Sequence, residues 1–218
     1  MSIKKRNDFG LNLYIIMKVI CVGRNYQEHA KELNNEIPQE PVLFLKPDTA
    51  VIRSGSELYI PEFTKELHHE VEVLVKISKV GKYIQPEFAE NYFTEIGLGI
   101  DFTARDLQNR LKSSGLPWEK AKAFDNSALV GEFFPKENFD LKNLNFSLQK
   151  NGKIQQQGNI SDMIFTIPQL ISHISQFFTL KVGDLIFTGT PSGVSKVEEN
   201  DHLEGFLEGK KNFEVLIK

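Results

Sequence analysis

Residues 67–75, LHHEVEVLV, set Glu70 and Glu72 two positions apart in a run that is otherwise largely apolar. In a strand, positions i and i+2 share a face, so the two carboxylates project side by side from backbone positions about 7 Å apart. Two such anions on an apolar strand repel each other and lose hydration, which raises at least one pKa unless a cation lies between them. Asp101, at the end of a second apolar stretch, IGLGID, offers a third carboxylate. Three carboxylates without a thiolate suit a hard cation, Mg²⁺ or Mn²⁺, better than zinc. His68 falls on the same expected face and is a possible replacement ligand. An edge strand with one solvated face has the same alternation, and spacing alone does not separate the two readings.

A second pair able to do chemistry is His29 and Glu32, at i and i+3 of the expected helix 25–36, where the side chains can meet. The carboxylate would orient the imidazole while the ring takes a proton. An exposed His–Glu pair on a helix surface has the same spacing. Near the C-terminal end, TGTPSGV follows the apolar run DLIF as a glycine-containing turn whose hydroxyl and N–H groups could hold a carboxylate.

These residues need a framework. MKVICVG (17–23), VLFLKP (42–47), TAVIRSG and ELYIP read as strands closed by Gly or Pro. In 67–77 the alternation points Val71, Val73 and Val75 one way, and His68, Glu70, Glu72 and Leu74 the other, as one strand. PEFAENYF is expected to be helical, and FTARDLQNRLKSSG to be a helix capped by Thr103 and stopped by Gly115. Asn151-Gly152 signals a two-residue hairpin turn. The stripe Leu170, Ile171, Ile174, Phe177 and Phe178 marks another helix, with His173 beside it. Strands resume in DLIF, DHLEGFLEG and NFEVLIK. Strands outnumber three or four helices, with no repeat and no linker, so the expected class is α+β, mainly β, with mixed pairing.

The 218 residues suffice for one domain with a substantial core. Twenty-six basic residues against 29 acidic ones, with no long run of either sign, give no footprint for nucleic acid or a membrane surface. Cys21 is the only cysteine, so no internal disulfide forms and a buried thiol in a strand is expected. The basic start and apolar run of the first 23 residues are interrupted by Asn12 and Lys18 and are too short to span a bilayer. Residues 1–16 are therefore expected to be an N-terminal extension preceding one domain over 17–218, and the location cytoplasmic.

Taken in order, VGRNYQEHAKEL, EPVLFLKP, LHHEVEVLV, GIDFTARDLQ, GLPWEKAKAFD and LIFTGTPSGV resemble the signature segments of the fumarylacetoacetate hydrolase family over nearly all of 17–218. The similarity is greatest to its acylpyruvase and oxaloacetate decarboxylase members. The resemblance implies a mixed β-roll with a few peripheral helices, a lid helix and a homodimer. It implies Glu70, Glu72 and Asp101 as ligands of one Mg²⁺ or Mn²⁺, His29 and Glu32 as a lid dyad that activates water, and Lys122, rather than Lys120, as a residue that stabilises developing negative charge. Arg105, Gln108 and Thr190 fall at substrate-contacting positions, whereas Arg24 and Lys46 match the family blocks without an assigned role. The activity implied is metal-dependent cleavage of a carbon–carbon bond in a small 2-oxo acid through a pyruvate enolate on the metal, by acylpyruvate hydrolysis or oxaloacetate decarboxylation. Isomerisation of a hydroxymuconate-type dienoate is the alternative, and a non-catalytic binding protein keeping the fold is a third.

Overall fold

The computed structural model describes residues 18–32 and 36–218. The expected extension 1–16 and the end of the expected helix 25–36 lie outside them, wholly or in part. Two sheets enclose the main core. The larger has seven strands in the order Val42–Lys46, Val19–Gly23, Leu185–Phe187, Val71–Ile77, Phe93–Asp101, Ala128–Pro135 and Val51–Arg53. Pairing is mixed: Val19–Gly23 runs parallel to Leu185–Phe187, and Val51–Arg53 parallel to Ala128–Pro135, while the other neighbours are antiparallel. The second sheet orders Lys153–Asn159, Asn145–Lys150, His202–Leu207, Lys210–Ile217 and Glu57–Leu58.

Val71, Val73, Val75 and Ile77 enter the main core with Ile96, Leu98 and Ile100 of the neighbouring strand and with Phe146, Leu148, Phe213 and Val215 of the second sheet. Each such side chain stabilises the fold by about 1.5–3 kcal/mol when fully buried. On the other face of the large sheet, Cys21, Leu74, Leu185 and Phe187 make a smaller apolar cluster. The Glu72 strand is thus central and buried on both faces, which excludes the edge-strand reading of its alternation.

The expected single strand 67–77 is two. Leu67–His69 pairs with Ser195–Lys196 and Thr103–Ala104 in a small third sheet, and Val71–Ile77 belongs to the large one. The chain changes sheets at Glu70, whose carbonyl accepts from Asp101 N–H at 2.9 Å. That one backbone bond sets two of the three carboxylate-bearing residues side by side.

Four α-helices are described: α1 Gln27–Glu32, α2 Arg105–Ser113, α3 Glu119–Lys122 and α4 Ile167–Phe177. PEFAENY is a 3₁₀ segment rather than an α-helix. Ala104, not Thr103, precedes α2; Thr103 lies in the small sheet and its hydroxyl is used elsewhere. Gly115, with φ +64°, follows the end of α2 in the left-handed region that favours glycine. In α4, Leu170, Ile171 and Ile174 are buried, but Phe177 is 59% exposed, because the helix ends there and the stripe continues through Phe178. Asn151 and Gly152 both have positive φ, as the hairpin turn requires.

Candidate active site

Glu70, Glu72 and Asp101 are buried, and one oxygen of each lies within 4.8 Å of the others. Glu70 Oε1 accepts from Thr103 Oγ1 at 2.9 Å and from the Arg105 guanidinium, and Oε2 accepts from Lys122 Nζ at 2.9 Å. Burial alone would raise its pKa, but Lys122 and Arg105 outweigh burial and hold the carboxyl well below the usual range. Asp101 Oδ2 accepts from Lys122 Nζ at 2.7 Å. Its Oδ1 lies 2.7 Å from Lys46 Nζ as an ion pair.

Glu72 has the least support. Gly189 N–H donates to Oε2 at 2.7 Å, while burial first, and then Asp101 and Glu70, push the carboxyl well above its ordinary value. Gly189 has φ +104°, and a Cβ there would meet Asn25 Cβ at 2.6 Å, so only glycine brings this amide to Glu72. A desolvated carboxylate facing two others, one oxygen of each within 4.8 Å of the rest, fits a divalent hard cation. The donor set is all oxygen, as Mg²⁺ or Mn²⁺ prefers.

His68 does not join this set. Its Nε2 lies 3.3 Å from Glu66 Oε2, since the change of sheet at Glu70 breaks the shared face expected from a continuous strand. Lys120 is exposed, whereas Lys122 is buried with its ammonium among Glu70, Asp101 and Thr103. Burial works against that ammonium, but Asp101 and Glu70 raise its pKa above the ordinary lysine value. Lys46, fully buried, holds the backbone carbonyls of Lys122 and Ser127 and the Asp101 carboxylate, a positioning role behind the site.

α1 carries the second pair. His29 is 4% exposed and its Nδ1 lies 3.2 Å from Glu32 Oε2. The carboxylate can only accept, so Nδ1 carries the proton and Nε2 is left with a lone pair. Burial lowers the His29 pKa, with Glu70 and Glu32 pulling partly the other way. Glu32 Oε1 accepts from Gly193 N–H at 3.0 Å, which ties the helix to the TPSG turn. At the root of α1, buried Asn25 donates to Phe165 O and Thr188 O and accepts from Phe165 N–H.

Arg105 Nη1 donates to Gln108 Oε1 at 2.7 Å, so this i, i+3 pair forms, and Arg105 Nε stays without an acceptor. Thr190 is oriented by a relay that sequence reading did not reveal. Gln156 Oε1 accepts from Val71 N–H at 3.0 Å and is 2.9 Å from His69 Nδ1, which must therefore be protonated; Gln156 Nε2 donates to Thr190 Oγ1 at 2.8 Å. Thr190 accepts there, so its own proton is left for another acceptor. His69 Nε2, lacking a proton, accepts from Ser195 Oγ at 2.8 Å, and burial lowers the His69 pKa to about 4. Gln156→Leu removes these three contacts and a fourth, from Nε2 to Pro191 O at 3.0 Å, and is expected to destabilise the fold by about 2–4 kcal/mol, read from urea denaturation.

His29, Glu70, Glu72, Asp101, Arg105, Gln108, Lys122 and Thr190 all line one pocket, with Glu32 behind His29. Residues missed from sequence are Thr103, Gly189, Gln156, His69 and Asn25, together with Phe44, Lys112 and Trp118 of the lining, while Arg24, left without a role in the sequence, also lines the pocket. A signal existed for Lys112: Arg105, Gln108 and Lys112 follow i, i+3, i+7 along one face of α2.

The family model for the fumarylacetoacetate (FAA) hydrolase C-terminal domain matches residues 18–217. The chain is 44% identical over 201 residues to mouse "Oxaloacetate tautomerase FAHD1, mitochondrial", covering 92% of this chain and 91% of the relative. It is 43% identical over 198 residues to Escherichia coli "Oxaloacetate tautomerase YcgM", covering 90% of each. The fold is similar to that of Pseudomonas aeruginosa fumarylpyruvate hydrolase in complex with Mn²⁺ and pyruvate, with a TM-score of 0.89, 37% identity, and coverage of 96% of this chain and 93% of that one. With a matching family model over almost every described residue and relatives aligned along nine-tenths of their length, the chain belongs to the fumarylacetoacetate hydrolase family.

Proposed function

We propose that this chain is a divalent-metal-dependent enzyme that moves a proton at C3 of a small 2-oxo acid, interconverting the keto and enol forms of oxaloacetate. The observation that carries the reading is a buried His29, paired with Glu32, in the same pocket as the three converging carboxylates Glu70, Glu72 and Asp101. The names of the two sequence relatives point the same way.

Glu70, Glu72 and Asp101 would hold Mg²⁺ or Mn²⁺. Bound there, the ion would act as a Lewis acid toward the 2-oxo group. His29 Nε2 takes the C3 proton, and the C–H electron pair becomes the C2–C3 double bond while charge gathers on the C2 oxygen. Glu32 stabilises the imidazolium that forms. Lys122 and Arg105 bring positive charge to the developing oxyanion, and the C2 oxygen then takes a proton from water while the His29 imidazolium gives its own back to solvent, so that the enol forms and the base is restored. Thr190, with its proton available, and Gln108 hold the substrate carboxylate.

Carbon–carbon cleavage is the second reading: hydrolysis of an acylpyruvate such as fumarylpyruvate, or decarboxylation of oxaloacetate. It is favoured by the His29–Glu32 pair, which could equally take a proton from water, and by the likeness to fumarylpyruvate hydrolase. The proposal includes a homodimer, supported by the family resemblance and by the partly exposed Phe44, Val51 and Phe133 beside the smaller apolar cluster; sedimentation tests it.

The decisive assay follows oxaloacetate in D₂O with Mg²⁺, by the ultraviolet signal of the enol and by NMR of the C3 hydrogens, with pyruvate measured separately. Chelator-sensitive enol–keto equilibration outpacing pyruvate release supports the first reading. Pyruvate release that keeps pace with enol loss, or turnover confined to acetylpyruvate and fumarylpyruvate, puts cleavage first. Inertness toward all three substrates overturns both.

A further inference from the structure

Five cationic side chains gather at or behind this pocket. Three have carboxylate partners: Arg105 and Lys122 bind Glu70, Lys122 also binds Asp101, and Lys46 pairs with Asp101 from behind. Arg24 and Lys112 line the same pocket and form no ion pair and no side-chain hydrogen bond with any described residue. Lys112 projects from α2 on the face that carries Arg105 and Gln108, and its ammonium lies 4.9 Å from the Trp118 ring centre. Arg24 sits at φ +59°, a left-handed backbone that a non-glycine residue adopts at a cost of about 1–2 kcal/mol.

A lysine resting on a tryptophan at a surface would explain Lys112 alone. It does not explain why a partly buried ammonium shares its pocket with Arg24, Arg105 and Lys122. Burial, followed by those three charges, lowers its pKa to about 8. The cluster is an electrostatic cost in the protein by itself, and it is offset when an anion enters.

In the proposed reaction the first carboxylate of a 2-oxo acid is accounted for by Thr190 and Gln108. We infer that Arg24 and Lys112 form a second anion subsite in this pocket, which selects 2-oxo acids carrying a second carboxylate over their monoanionic counterparts. The inference rests on the proposed 2-oxo acid chemistry of the pocket and adds to it the residues that read the far end of the substrate.

The test compares oxaloacetate with its C4 methyl ester, which keeps the carbon skeleton and lacks the second charge. Binding to the Mg²⁺-loaded protein is measured by calorimetry and turnover by kcat/KM, for wild type, Lys112→Met, Lys112→Arg and Arg24→Gln. Lys112→Met keeps a stem to lie on Trp118 and removes only the charge. The wild type should prefer the diacid, and that preference should fall about tenfold in Lys112→Met and in Arg24→Gln, with recovery in Lys112→Arg. A preference that stays the same in wild type and Lys112→Met overturns the subsite, whether both ligands weaken together or neither changes. If wild type binds both ligands and turns over neither, the assigned reaction fails, while the ratio of dissociation constants still decides the subsite. If wild type binds neither, both ideas fall.

Discussion

Glu72→Gln is expected to make the metal-free protein more stable and the Mg²⁺-supplied protein nearly inactive. The glutamine oxygen can keep the bond from Gly189 N–H, while the charge facing Glu70 and Asp101 is gone. The folded-state pKa of Glu72 lies above its unfolded value, so the folded chain binds this proton more tightly. That contribution is complete below the ordinary value of 4.5 and is lost as pH rises through the raised folded value. Without metal, the melting temperature of wild type should therefore fall relative to Glu72→Gln as pH climbs above 4.5. At neutral pH the variant should gain about 1 kcal/mol, or roughly 3 °C. With Mg²⁺ the order reverses, because only wild type keeps all three anionic ligands. Losing Lewis-acid stabilisation worth several kcal/mol lowers kcat/KM by about a thousandfold. Thermal melts in chelator and across a Mg²⁺ titration, beside the oxaloacetate assay, check both halves. A variant that Mg²⁺ stabilises as fully as wild type would show that Glu72 is not a ligand.

His29→Asn carries the second large effect. It removes the imidazole that, among the described residues, lines the pocket while sparing the carboxylates, so Mg²⁺ affinity should hold and proton transfer should not. Loss of a positioned general base lowers kcat by about 10²- to 10⁴-fold. Decarboxylation of oxaloacetate removes no C3 proton and should survive better than enolisation or acylpyruvate hydrolysis. Equal survival of all three activities would dismiss the dyad. Glu32→Gln should fall between, since it leaves the imidazole but takes away the charge that stabilises its protonated form.

How far the sequence could be read follows from where each determinant lies. The alternation of Val71, Val73, Val75 and Ile77 against Glu72 and Leu74 is local, and the strand forms as it dictates. The change of sheets at Glu70 is not local: the period-two pattern runs through it, and the break is imposed by Thr103–Ala104 and Ser195–Lys196, distant in the chain. For the same reason His68 fell on the wrong side, and Thr103 looked like a helix cap when its hydroxyl serves Glu70. The helix α2 was legible from its own residues, and the face joining Arg105, Gln108 and Lys112 could have been extended one more turn. Gln156 could not have been found that way. It sits in an ordinary hairpin strand, and its importance comes entirely from touching His69, Val71 and Thr190 across the fold.

The crossing at Glu70 has a mechanical result. Leu67–His69 and Val71–Ile77 hang from different sheets, with Glu70 at the joint, Glu72 just beyond it in the large sheet, and Asp101 fastened to Glu70 by a main-chain bond. An ion gripped by these three residues would act as a rivet through two layers, so filling the site and stiffening the joint become one event. Amide hydrogen exchange should record it, slowing in Leu67–His69 and Thr103–Ala104 on Mg²⁺ addition while the far hairpin around Asn151 and Gly152 keeps its pace.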